Sequence, residues 1–280
     1  MGLAGALAHL RCPHCAAGLA LDDATVRCPA GHAFDVARQG YVNLAPGGGP
    51  PLRGDSAAMV AARAAFLGRG HFDAIADAVA EQAHAGATGV AGCVADLGAG
   101  TGHHLARALD RLPDRAGLAL DSSRFALRRA ARAHPRIGAV ACDAWRALPV
   151  RDATAAVVLS VFAPRDAAEI ARVLAPGGAL VLVTPTERHL AELVAALGLL
   201  RVDERKRRRV QETIGALLEP VRQATCERTL ELGAGDARAV AQMGPSAHHL
   251  DAQVLDERLA ALGDPVRVGL SVTVSVFRRG

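Results

Sequence analysis

"VADLGAGTGHHLARAL", residues 94–109, decides the fold. A short apolar run ends on Asp96, glycines follow at 98, 100 and 102, and "HHLARAL" opens a helix. Glycines at such a strand-to-helix turn let the backbone bend tightly and lie against a ligand that a Cβ would exclude. A dinucleotide fingerprint would place its third Gly or Ala at 103, where this chain has His103. An acidic strand end followed by Gly98, Gly100 and Gly102 fits instead a nucleoside cofactor without a pyrophosphate, S-adenosylmethionine, with its amino-acid half along the loop.

Working outward, an acid about 20 residues further on should take the ribose hydroxyls. "LALDSS" supplies Asp121, and the next apolar run, "IGAVACD", ends on Asp143, placed for the adenine amino group. "AAVVLSVFAP" reads as a fourth strand and "LAPGGALVLVTP" as a helix end, a turn and a fifth. Strands alternating with helices from residue 58 onward describe an α/β fold, a doubly wound, Rossmann-like methyltransferase domain. "PVRVGLSVTVSVFRRG" at the end adds a late strand by its strict alternation. A second glycine stretch, "LELGAGDARAV" (230–240), lacks the third glycine and the acid twenty residues on, and reads as a loop leading into a helix.

The N-terminal stretch "CPHCAAGLALDDATVRCPAGH" carries a different chemistry. Cys12-x2-Cys15 and Cys28-x3-His32 are two knuckles, each introduced by turn residues. Four soft or borderline ligands converging from two tight turns are what a tetrahedral, structural Zn2+ requires. "AGLALDDATVR" between them reads as two strands around the Asp22-Asp23 turn, the build of a zinc ribbon. His14, inside the first knuckle, should point away when its cysteine neighbours point in. A redox CxxC pair is the competing reading, and no thioredoxin-like pattern surrounds it.

Composition sets bounds. The 280 residues suffice for one large domain and a small satellite, and with aromatics at only 3% the core must be built from Ala, Val and Leu. Lys206 is the only lysine among 32 basic residues, so the arginine excess reflects a compositional bias and says little by itself about nucleic acid. No apolar run approaches a membrane span, and "MGLAGALAHL" is too short, and without a basic start, for a secretory signal. The six cysteines are not spread as a disulfide framework, which favours a reducing cytoplasm. The layout expected is a zinc ribbon over 1–45, a Gly/Pro linker over 46–57 and the methyltransferase domain over 58–280. Two basic stretches could touch phosphate or be solvated faces: Arg124, Arg128, Arg132 and Arg136, four residues apart, and "RVDERKRRRV" (201–210).

"RCPHC…VRCPAGHAFDVARQGYVNL", "GDSAAMVAARAAFLGRGHFDAI" and "DLGAGTGHH…LALDSS…APGG…TPTERHL" together resemble the bacterial 23S rRNA (guanine-N1)-methyltransferases, most of all the macrolide (tylosin) resistance type. The resemblance implies a homodimer acting on a guanine in a 23S rRNA hairpin loop near the peptide tunnel, with RNA and not DNA as partner. It implies zinc at Cys12, Cys15, Cys28 and His32. It also implies cofactor contacts from Phe72, from the glycine loop with His103 and His104, from Asp121 and from His189. The chain departs from that pattern at His103-His104, where aromatics are common, and over 200–265.

Guanine N1 carries a proton that must leave as the methyl arrives. Phe162 and Pro164 lie where the target base should sit. Asp55 is the one candidate proton acceptor, with helix capping as its competing role. Two other functions remain open: a small-molecule methyltransferase of antibiotic biosynthesis, and a non-catalytic zinc-ribbon RNA-binding module, against which the acids Asp121 and Asp143 argue.

Overall fold

A computed structural model gives the fold, describing residues 2–46, 52, 54–163, 166–200, 203–244 and 251–280. Pro164 and half of the expected linker lie outside the described residues. A short helix α1 (Gly2–Ala6) precedes β1 (Ala20–Asp22), β2 (Thr25–Arg27) and β3 (Ala33–Asp35), a small antiparallel sheet in that order. After β4 (Tyr41–Asn43) come α2 (Ala57–Gly68), α3 (Asp73–Ala87), β5 (Cys93–Leu97), α4 (His103–Asp110), β6 (Gly117–Asp121), α5 (Arg124–Ala133) and β7 (Ile137–Ala141). The chain continues with β8 (Ala155–Val161), α6 (Ala167–Val173), β9 (Leu174–Pro185), α7 (Ala191–Leu197), α8 (Glu204–Gly215), β10 (Glu219–Leu232), α9 (Ala234–Met243), α10 (Ala252–Ala260) and β11 (Val266–Arg278).

The large sheet runs β10-β11-β9-β8-β5-β6-β7-β4. Strands β4 to β9 pair in parallel, while β11 is antiparallel to both β9 and β10. From β5 the chain steps to β6 and β7 on one side, then returns to β8 on the other. The switch point therefore lies beside the end of β5, where open α/β sheets hold their ligands.

A parallel sheet must be covered on both faces. The connection from β7 to β8, residues 142–154, contains no helix. The face beside it is covered by the N-terminal segment: Leu7, Leu10, Leu19 and Val26 pack in one cluster with Leu97, Leu118, Leu120 and Val140. A Cβ on Gly138 would stand 2.4 Å from Ala6 Cβ, so α1 lies directly on β7. Leu10 bridges to Val150, Arg151 N donates to His9 O at 2.9 Å, and Arg11 pairs with Asp152 at 3.1 Å. β4, within the segment expected to be ribbon, is the edge strand of the large sheet, its Tyr41 opposite Ala139 and its Asn43 opposite Ala141.

Other local expectations change. The cap of α2 is Ser56, whose hydroxyl accepts from Met59 N, and not Asp55. α5 ends at Ala133, so Arg136 does not share its face; its guanidinium donates to the carbonyls of Leu109, Leu112 and Arg115. The "LELGAGDARAV" stretch is the end of β10 running straight into α9. β10 itself is exposed along most of its length, so its sequence carries no apolar alternation to reveal it. β11, flanked by β9 and β10, is buried on both faces, including Ser271, Thr273 and Ser275. No helix among the described residues is long and apolar enough to cross a membrane.

Deleting residues 1–45 should therefore damage the whole fold. Leu7, Leu10, Val26, Val42 and Leu44 are all buried, and at about 1.5–3 kcal/mol each their burial contributes roughly 10 kcal/mol. The deleted chain is expected to melt at least about 10 °C lower, or to aggregate. An unchanged thermal midpoint would show that the N-terminal segment is an appendage.

Candidate functional site

The glycine loop leaves the carboxyl end of β5 with Gly98, Gly100 and Gly102 at φ +64°, +55° and +79°, the left-handed region that side chains disfavour. Gly98 N and Ala99 N both donate to Leu120 O, at 2.8 and 3.1 Å, which ties the loop to β6. Asp121, the last residue of β6, accepts from Gly100 N at 2.8 Å and from Ser123 N at 2.7 Å. Burial pushes its carboxyl up, against the pull of those two amides. Each carboxylate oxygen still has a lone pair to offer a hydroxyl. Asp96 lies inside β5, 2% exposed, and burial together with the Asp121 charge drives its carboxyl well above the usual range. The acid at the strand end is thus part of the floor beneath the loop.

The end of the linker crosses this floor. Ser123 Oγ donates to Asp55 O at 2.7 Å, and a Cβ on Gly54 would sit 2.6 Å from Ser123 N. The Asp55 carboxylate is ion-paired with Arg63 of α2. Arg63 also donates from Nη2 to Met243 O at 2.7 Å, and its Nη1 lies 3.6 Å from where a Gly100 Cβ would be. Sequence reasoning missed Arg63, because one arginine in an arginine-rich chain sends no signal. Asp143, just past β7, accepts from Trp145 N at 2.9 Å and faces Arg146 Nε at 3.5 Å, beside a Trp145 ring that is 66% exposed.

A wall of rings stands near the ends of β8 and β9. Phe72 lies 6.3 Å from Phe162 and 5.7 Å from His189, and Phe162 stacks on His189 at 5.5 Å. Phe162 has φ +53°, a conformation that costs a bulky residue about 1 kcal/mol or more and persists only where the surroundings impose it. The result is a 40%-exposed ring. Burial lowers His189 to about 4, so it is neutral at pH 7. Ser271 N donates to its Nδ1 at 3.3 Å, which assigns the ring proton to Nε2 and makes that atom a donor. His103 and His104 open α4 with rings 5.2 Å apart, and burial takes His104 down to about 3.

The four zinc-ligand candidates converge, their donor atoms lying within 4.8 Å of one another. Cys15 Sγ and Cys28 Sγ are 3.7 Å apart, and His32 Nδ1 lies 3.3 Å from Cys28 Sγ and 3.5 Å from Cys12 Sγ. A disulfide would require about 2.05 Å. A tetrahedron with Zn–S bonds of about 2.3 Å has edges of about 3.8 Å, so the set fits zinc. His14 stands outside it, its ring stacked on Phe34 at 5.9 Å. The second glycine stretch contrasts with the first: Gly233 has φ −68° and caps α9.

A switch-point glycine loop with an acid on the next strand defines a class, the nucleoside-cofactor methyltransferases. Residues 94–178 match the description "Methyltransferase domain" and residues 10–47 the zinc ribbon described as "RlmA, N-terminal". A Streptomyces fradiae protein named 23S rRNA (guanine(748)-N(1))-methyltransferase is 50% identical, with 96% of each chain covered. A Micromonospora griseorubida protein, provisionally named a 23S rRNA (guanine-N(1)-)-methyltransferase, is also 50% identical, over 97% of this chain and 98% of its own. Among solved structures, the YcgJ protein of Bacillus subtilis matches at TM-score 0.45 and 16% identity, covering 68% of this chain and 92% of its own. The chain belongs to the 23S rRNA (guanine-N1)-methyltransferase family. Its cofactor is S-adenosylmethionine, and its N-terminal segment is a zinc ribbon.

Two measurements check the site. Gly100→Val should abolish binding of S-adenosylhomocysteine by calorimetry, through both strain at φ +55° and intrusion into the slot. Gly233→Val, at an ordinary φ, should leave it unchanged; the reverse outcome would place the cofactor at the wrong loop. Metal analysis of gently purified protein should find one zinc per chain, and Cys28→Ser should release it and lower the thermal midpoint, because Cys12 and Cys28 pack in the same cluster as the sheet.

Proposed function

We propose that the chain transfers a methyl group from S-adenosylmethionine to N1 of a guanine in a hairpin loop of 23S rRNA near the peptide tunnel. The observation that carries this reading is one architecture joining a zinc ribbon to a cofactor cradle, in a chain half identical over nearly its full length to proteins named for that reaction. When bound, the cofactor supplies an electrophilic methyl group. The chain's own residues do the rest. Gly98, Gly100 and Gly102 would admit the cofactor's amino-acid half, Asp121 would accept from its ribose and Asp143 from its adenine, and Phe72, His103, His104 and His189 would complete the site. Arg63 is the cation over the loop and would take the carboxylate of the amino-acid end. Cys12, Cys15, Cys28 and His32 hold the zinc.

Phe162 offers an exposed ring to a base splayed from its loop, the arrangement by which enzymes acting on a base present the reacting atom. Asp55, engaged by Arg63 at the glycine loop, suits the cofactor's amino-acid end better than the proton on guanine N1. Catalysis then rests mainly on holding N1 in line with the methyl group, S-adenosylhomocysteine being the leaving group and solvent water taking the N1 proton, so that orientation supplies most of the advantage. The ribbon would position RNA, and the enzyme would act as a cytoplasmic homodimer that protects the ribosome from macrolides of the tylosin type.

The test is transfer of labelled methyl to a transcript of the rRNA hairpin, with the product nucleoside identified. Transfer to guanine N1 is expected, and Phe162→Ala should reduce kcat/KM about tenfold to a hundredfold through lost stacking, with S-adenosylhomocysteine affinity within about twofold of the parent. A folded, cofactor-binding protein that leaves the transcript unmethylated would overturn the reading.

A further inference from the structure

Outside the methyl-transfer site, α2 and α5 leave an open cleft of about 510 Å³, lined by Ala57 and Val60 of α2 and by Phe125, Arg128, Arg129, Arg132 and Ala133 of α5. Many of the chain's arginines have assigned work. Arg63, Arg69, Arg107 and Arg172 are paired with carboxylates, and Arg115 and Arg136 with backbone carbonyls. The cleft differs. Among the described residues, none of Arg128, Arg129 and Arg132 has a carboxylate partner, and the buried Nε of Arg128 has no acceptor. The Arg124 and Arg128 guanidiniums instead lie 4.9 and 5.5 Å from the Phe125 ring centre. That ring fixes them in place while leaving their N–H groups uncommitted. Gathering three unneutralised charges into one concavity is costly unless an anion answers them.

Its position adds to this. A Cβ on Gly102 of the cofactor loop would stand 3.0 Å from Ala130 Cα and 3.1 Å from Ala133 Cβ, and Ala133 lines the cleft. On α2, Val60 lines the cleft and Arg63, nearly one turn later, faces Gly100. The cleft thus opens on the outer side of the wall whose inner side is the cofactor slot. We propose that it seats the phosphodiester backbone of the substrate RNA beside the methylated loop, with Arg128, Arg129 and Arg132 contacting phosphates. Arg128 and Arg132, one helical turn apart, stand on one face of α5 with Cβ atoms about 6 Å apart, and each guanidinium fork matches a phosphate's oxygens. This inference rests on the rRNA reading above.

The experiment titrates a fluorescent transcript of the rRNA hairpin with the full-length protein across a salt series, following anisotropy. The parent should bind with affinity that falls steeply as salt rises. The triple variant Arg128→Gln, Arg129→Gln, Arg132→Gln should bind at least about tenfold more weakly at about 0.15 M salt, and the slope of log affinity against log salt should shrink by about 2 to 3 for three lost contacts. Its S-adenosylhomocysteine affinity, measured by calorimetry, should stay within about twofold, reporting an intact fold and cofactor slot. Should that affinity fall, the single variant Arg129→Glu, at an exposed residue, decides in its place by the same loss of RNA binding. The charge-matched control Arg205→Gln, Arg208→Gln, Arg209→Gln, at exposed positions of α8, should lose less. Equal losses in the two triples, or a cleft variant that binds RNA like the parent, would overturn the cleft assignment and leave the rRNA reading standing. A folded, cofactor-binding parent that neither binds nor methylates the hairpin would overturn both.

Discussion

The carboxylate of Asp121 holds the site together. It takes one amide from the glycine loop and one from the turn that starts α5, at 2.8 and 2.7 Å. Ser123, so positioned, reaches back to the linker at Asp55, and Asp55 meets Arg63, which reaches the end of α9 at Met243. Four chain segments distant in sequence are thereby locked around one slot. Hydrogen bonds to a buried carboxylate are worth more than neutral ones, and losing the acceptor would strand two amides. The shape of the cradle is thus held by bonds internal to the chain, and a loop so held spares binding part of the cost of ordering it.

The second organising constraint is the uncovered face between β7 and β8. Where a crossover helix would ordinarily lie, the chain places its own N-terminal segment, and the zinc cluster makes that segment stiff enough to serve. Cys12 and Cys28 face the same cluster as Leu97 and Val140. Zinc binding energy is folding energy for a segment too small to build its own core. The metal therefore supports the sheet as well as any RNA surface the ribbon presents.

Much of this was legible in the residues. The glycine loop with the acid ending β6, and the four converging metal-ligand candidates, each combine a residue type with a spacing, and the pairing of neighbouring strands or knuckles brings them together. What stayed hidden depends on tertiary context. β4 is three residues long with one buried side chain, Val42, too short for any period. β10 carries charges on both faces because both are exposed, so alternation has nothing to register. Phe162 sits in the left-handed region with its amide donating to Val183 O at 3.2 Å and its ring packed against Phe72 and His189, contacts made by distant segments. Asp55 and Ser56 are both good cap residues, and the guanidinium of Arg63 decides which of them caps.

The pairing of β4 with β7 also bears on how such a chain can change over evolutionary time. A zinc ribbon on a flexible tether could be exchanged between proteins as a cassette, with the catalytic sheet indifferent to the trade. Here the ribbon's exit strand is the sheet's outermost strand, and α1 is fitted to Gly138 with no room for a side chain. Recombination at the ribbon boundary would cut through a hydrogen-bonded ladder and expose a hydrophobic face. Ribbon and sheet must therefore drift together, each substitution on one side screened by its fit to the other, and the substrate range of the enzyme is inherited as a single unit.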